Sequence, residues 1–261
     1  VVLLAACALF VIGSAQAVHD TGAFELDGNA VSQTTNDWDR VCFQETGNPA
    51  CGASVPTSSP TATAVSWTGD CLVGHHGFGC GNLTATTFQG GGSKDPQDIN
   101  NWAWNDGGGG LPAKDNLLHG FAARFSLPGT NSSGTCPNGT DNNGGTFDPS
   151  VNCSVIFFGS DRYDNSGDAQ QGFWFFQNQI GLGTNSVGGG TGFTGLHKDG
   201  DLLVISDFSV GGTTSTVTVY KWDSTCKKGV NSPNPGDCSD TNLRLLATST
   251  NAKCGSGLAG N

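Results

Sequence analysis

The stretch that most constrains this chain runs from Cys153 to Gln177, CSVIFFGSDRYDNSGDAQQGFWFFQ, where two apolar runs flank one acidic, glycine-containing segment. Val155 to Phe158 and Phe173 to Phe176 are continuous apolar runs rich in β-branched and aromatic side chains, the composition of strands covered on both faces. Between them, Asp161, Asp164, Asn165, Gly167 and Asp168 cannot extend a strand and predict a long turn. The expectation is a β-hairpin through the core.

The rest of the chain suits such a hairpin. Glycine accounts for 41 of 261 residues, Met is absent and 13% of residues are charged, which fits many short strands joined by turns better than helices. No segment in the middle resembles a linker, so one domain is expected over residues 18–261. All but two of the 22 acidic residues are Asp, the exceptions being Glu25 and Glu45. Asp belongs to turns and calcium loops, whereas Glu favours helices. A net charge of −11 argues against a nucleic-acid partner, which would require basic residues to neutralise phosphates.

Residues 1–17, VVLLAACALFVIGSAQA, have the apolar body and Ala15-Gln16-Ala17 ending of a secretory signal, with cleavage expected before Val18. The run is short for a membrane span, so no span is expected after its removal. A competing reading takes Leu4-Ala5-Ala6-Cys7 as a lipobox with Cys7 anchored to lipid. Both readings place the protein outside the cell, secreted or attached to the surface. The chain opens inside the apolar run without Met and is expected to be a fragment there.

Cysteine usage agrees with export. Apart from Cys7, the first eight cysteines fall into neighbouring couples, Cys42 and Cys51, Cys71 and Cys80, Cys136 and Cys153, Cys226 and Cys238, separated by 9, 9, 17 and 12 positions. Four local loop staples are the simplest connectivity. No C-x-x-C spacing supports zinc. Cys254 is left over, which predicts a partner beyond Asn261 and a second incomplete end.

Along the chain, Ala23 to Ala30 (AFELDGNA) reads as a first strand and turn, and Asn36 to Val41 as the start of a loop region. Residues 42–60 and 71–80 read as stapled surface excursions, Leu83 to Phe88 as a strand, and Thr130 to Asn152 as a stapled loop. Alternation of Leu117, His119, Phe121, Ala123 and Phe125 favours a strand over a helix between Asn116 and Leu127. Gly181 to Gly195 reads as a glycine-rich connection. Leu202 to Phe208 and Ser215 to Trp222 form a second expected hairpin, and Leu243 to Thr248 a late strand. About ten strands at this spacing predict an all-β, antiparallel two-sheet sandwich of jelly-roll or lectin (concanavalin-like) type, with disulfide-stapled loops.

FELDGNA near the start, GGGSKD at Gly90 to Asp95, GDAQQGFWFFQ at Gly167 to Gln177 and GDLLVISDFSVGG at Gly200 to Gly212 together resemble an uncharacterised family of secreted bacterial surface proteins, often upstream of prealbumin-like or similar repeat modules. The resemblance implies secretion and a surface role. It transfers no catalytic residue.

Chemistry has few places to sit. Asp161, Asp164, Asn165 and Asp168, spaced D-x-x-D-N-x-G-D, offer the oxygen ligands that calcium takes, while the same residues also cap turns by accepting backbone N–H groups. Asp95 with Asp98, and Asp199 with Asp201, are weaker calcium candidates. Trp102 and Trp104 sit at i and i+2; in a strand both would face one side, a sugar-stacking platform if exposed and core packing if not. Trp174 and Trp222 read as buried, His119 and His197 as structural, and His75-His76 as solvated loop residues. There is no G-x-S-x-G elbow. Asn82, Asn131, Asn138 and Asn152 satisfy N-x-[ST] by chance frequency alone.

Three functions fit this pattern. The first is a surface module with a binding or structural role, its partners extracellular polysaccharide or other surface proteins. The second is a glycoside hydrolase or polysaccharide lyase on the same architecture. The third is a subunit that self-assembles through its strand edges.

Overall fold

In the computed structural model of the chain, the described residues are 18–20, 23–26, 30–32, 36–48, 51, 61–69, 86–88, 98–106, 113–129, 148–164, 166–183, 191–209, 214–227 and 234–250. The expected signal segment and the Cys71 to Cys80 loop lie outside them. Among the described residues the molecule is all-β but for one α-helix and short 3-10 turns, and every strand pair is antiparallel. No helix among them is long and apolar enough to cross a membrane.

Two sheets form the body. The first contains β3 (Ala64–Gly69), β6 (Leu117–Leu127) and β7 (Cys153–Arg162), in the order β3-β6-β7. The second runs β13-β14-β12-β11-β8, built from β8 (Ala169–Phe175), β11 (Leu202–Ser209), β12 (Thr214–Trp222), β13 (Cys238–Asp240) and β14 (Leu243–Thr250). Around them lie a small pair, β1 (Val18–Asp20) with β2 (Phe24–Leu26), and a four-stranded sheet ordered β4-β5-β10-β9. Its strands are β4 (Thr86–Phe88), β5 (Ala103–Asp106), β9 (Gly181–Gly183) and β10 (Thr191–Thr194).

The central stretch supplies both expected strands and the turn, but not the expected hairpin ladder. β7 pairs with β6 and β8 with β11, so the segment crosses from one sheet to the other. The two strands meet through side chains instead. Phe158 lies edge-on to Phe173 and Phe175, with ring centroids 5.0 and 4.8 Å away, and the Ser160 hydroxyl donates to Gln171 Oε1 at 2.8 Å. The continuous apolar runs explain this arch. Phe157 and Phe158 point to opposite faces of β7, and each face needs a cover. The arch turn is braced from outside: Lys114 Nζ donates to the Asp168 carbonyl at 2.6 Å, and Arg162 Nη1 donates to the Lys114 carbonyl at 3.2 Å.

One core lies on the Phe157 face. Ala123, Phe125, Leu127, Cys153 and Phe157 pack there against Ala23, Phe24 and Val41. Val41 comes from α1 (Trp38–Thr46), a helix where Asn36 to Val41 was expected to begin a loop. The missed signals were caps. Asp37 accepts the Trp38 N–H at the start, and Gly47, at φ 66°, closes the end by donating its N–H to the Phe43 carbonyl. Burying Phe24 alone, fully enclosed here, contributes about 1.5–3 kcal/mol. A second core, on the outer face of the five-stranded sheet, joins Leu203, Trp222 and Leu243 with Trp174, Ile205 and Tyr220.

Disulfides join Cys42 to Cys51 and Cys226 to Cys238. Cys153 is also disulfide-bonded, and its expected partner Cys136 lies outside the described residues. The glycine-rich connection from Gly181 to Gly195 is not structureless: β9 and β10 lie within it and pair, Phe193 opposite Leu182.

Candidate functional site

Two histidine–aspartate pairs stand out, one buried and one at a rim. The buried pair closes the turn before β11. His197 Nδ1 lies 3.2 Å from Asp201 Oδ2, with side chains 3% and 0% exposed. The His197 ring stacks on Trp222 at 3.8 Å and touches Trp174 and Phe176 at 4.6 and 5.3 Å. Asp201 also accepts the Lys198 N–H at 3.0 Å and the Gln177 N–H at 2.8 Å. Burial alone would raise this carboxyl's pKa. The N–H groups of Lys198 and Gln177 and the His197 imidazole outweigh it and hold the pKa below the ordinary carboxylate value.

Neighbouring acids do the same kind of work. Asp199 accepts both the N–H and the hydroxyl of Ser224, at 2.9 and 3.0 Å. Asp223 takes the Thr225 hydroxyl and the Arg244 guanidinium, which hold it far below the usual range. Gly200, at φ 102°, lets the chain pass where a Cβ would stand 2.9 Å from Gln177 Nε2. Within this constellation Asp201 and the His197 side chain are buried, and the ring contacts of His197 tie the turn to the Trp174–Phe176–Trp222 cluster.

Trp102 belongs to the edge of that cluster. Its ring lies 6.3 Å from Phe176 and 5.3 Å from Phe193, and the residue is half-buried, just ahead of β5 rather than in it. Trp104 lies in β5, opposite Phe88 and Thr191, and its side chain is outside the described residues.

The rim pair sits where β6 begins and β7 ends, beside the arch turn. His119 Nδ1 lies 3.0 and 2.9 Å from the two oxygens of Asp161, directly opposite in the ladder. A bulge between Leu117 and His119 breaks the register there, and the His119 N–H donates to the Asp161 carboxylate at 2.7 Å. The histidine is 23% exposed and the aspartate 49%. His119 also ends a continuous aromatic run. Phe157 contacts Phe24 at 4.8 Å, Phe24 contacts Trp38 at 4.3 Å, and Trp38 contacts Phe121 at 4.1 Å. Phe121 then meets Trp67 at 5.2 Å, and Trp67 meets His119 at 5.2 Å.

The acidic loop of the arch is distributed rather than gathered. Asp161 turns to His119, Asp164 accepts the Ser166 N–H at 2.7 Å, and Asp168 presents its carbonyl to Lys114. The Ser166 N–H and hydroxyl, with Arg162 adding a smaller pull, lower the Asp164 pKa. Asn165 lies outside the described residues, as do Asp95 and His75-His76. The Asp98 carbonyl accepts the Asn101 N–H in a 3-10 turn. Among the described residues no three His, Cys, Asp or Glu side chains are grouped to hold a metal ion. Of the two glutamates, Glu25 is buried in β2 and Glu45 exposed on α1.

The chain matches no family model, no curated protein and no solved structure. Sequence reasoning placed His119 on the same strand face as Phe121 by alternation, but it did not find Asp161 as its partner. That pairing needs the cross-strand register, which a one-residue bulge shifts.

Proposed function

We infer that this chain is an extracellular binding module, secreted or displayed at the cell surface, with polysaccharide as its ligand class. The observation that carries the reading is the rim of the three-stranded sheet, where an aromatic run anchored in the core ends at a partly exposed histidine–aspartate pair. Such a site is preorganised, because strands and packed rings fix it rather than loops. Elsewhere the carboxylates with bonds described above serve turns, as those of Asp199, Asp201 and Asp223 do, which suits a scaffold that presents a surface. The signal-like opening, the local disulfides and the resemblance to secreted surface proteins support an address outside the cell.

Co-sedimentation with insoluble polysaccharides tests the reading. Retention of the folded chain on at least one neutral polysaccharide, with no release of reducing sugar on prolonged incubation, is the expected result. Turnover of the polysaccharide would instead favour a hydrolase, and no retention on any of them would remove the reading.

A further inference from the structure

We propose that His119 Nε2 and the exposed edge of Asp161, flanked by Gly69 and Trp67, form a subsite for adjacent hydroxyl groups of a neutral polysaccharide. The inference rests on the binding reading above and names its contact point.

The chemistry follows from the bonds already made. Asp161 faces His119 Nδ1 with both oxygens, so in the neutral imidazole Nδ1 carries the proton and Nε2 accepts. No described residue hydrogen-bonds to Nε2, and the side chain is 23% exposed. Gly69 lies opposite His119 in the β3–β6 ladder, and a Cβ there would stand 3.4 Å from His119 Cδ2 and 3.9 Å from Nε2. Glycine thus keeps the flank of the imidazole open. Asp161, 49% exposed, retains lone pairs beyond those turned to His119. The result is two acceptors side by side, the His119 N–H and Nδ1–H being already directed at Asp161, beside the half-buried Trp67 ring 5.2 Å from the imidazole.

Acceptors side by side select a ligand that brings donors, and neighbouring sugar hydroxyls do so while their C–H face lies against an aromatic ring. Anionic polymers bring the wrong charge both to Asp161 and to a chain of net charge −11. Neutral polysaccharide is therefore the ligand class, and discrimination against anionic ones is part of the proposal.

The test is an NMR titration of the whole chain with soluble fragments of a β-glucan, a mannan and a dextran, and with polygalacturonate fragments as the anionic arm. Shifts centred on His119, Trp67 and Gly69 are expected with at least one neutral polymer and not with polygalacturonate. H119A and D161N, each checked for an otherwise unchanged spectrum, are expected to weaken that binding about tenfold, the loss of one good hydrogen bond. D240N, on the far edge strand β13, is expected to leave it unchanged. Neutral binding that survives both H119A and D161N would overturn this subsite while leaving the binding module standing. Equal binding of polygalacturonate would overturn the charge argument. An absence of binding to every polymer would overturn both the subsite and the reading beneath it.

Discussion

Asp201 shows how much one side chain settles. It is fully buried and accepts from Gln177, His197 and Lys198, so its charge is stabilised by fixed donors rather than by water. Replacing it with Asn sets an amide NH2 against one of those donors, and D201N is expected to lose about 2–4 kcal/mol of stability in urea unfolding at neutral pH. The pH dependence has a definite sign. The folded pKa is lowered, so the stabilisation is complete above the unfolded value of about 3.9 and is drawn down as the pH falls below it towards the folded value. The stability gap between the native chain and D201N should therefore narrow below about pH 4. A gap that stays constant down to pH 2 would show that folding does not lower this carboxyl's pKa. The acids of the arch turn have a lesser part. Asp164 accepts the Ser166 N–H and Asp161 faces His119, and if these turn contacts are the whole role of the two acids, EDTA leaves the thermal midpoint where it is. A fall in the midpoint that added calcium restores would establish a calcium site in this loop.

At the level of elements, the arch between β7 and β8 and the disulfides matter most. Phe158 is the inward side chain of β7 that meets Phe173 and Phe175 across the sandwich. It is only half-buried, so F158A is expected to cost about 2–3 kcal/mol, at the low end of values for deleting an aromatic side chain. Equilibrium denaturation would measure it, and a cost below about 1 kcal/mol would place the two sheets further apart than described. Removing the Cys226–Cys238 bridge as C226A/C238A should cost about 3 kcal/mol in the chain-entropy picture, its closed loop being 12 residues long. The helix offers a contrast. α1 begins at Asp37 and ends at Gly47, both recognisable caps, yet Asn and Asp in NDWDRV also fit a turn, and only packing of Val41 against the core decides between them.

For the molecule as a whole, the legible part was whatever depended on local pattern. Alternation identified β6, the glycine turn between two apolar runs identified β11 and β12, and spacing of the cysteines identified the 42–51 and 226–238 staples, because each is decided within a few residues. The central stretch departs from the expected hairpin for a physical reason. Two apolar runs joined by a turn can pair edge to edge or stack face to face, and the choice rests on which other strands claim their backbone groups. β6 claims β7 and β11 claims β8, at a distance no local pattern records. The rim site shares that origin, since His119 meets Asp161 only through the β6–β7 register. The most direct test is the set of nuclear Overhauser contacts across residues 153–177. The arch predicts ring-to-ring contacts from Phe158 to Phe173 and Phe175, Hα–Hα or amide contacts of β7 with β6 and of β8 with β11, and none between the backbones of β7 and β8. Backbone contacts linking residue 158 directly to 173 would restore the simple hairpin and contradict the account.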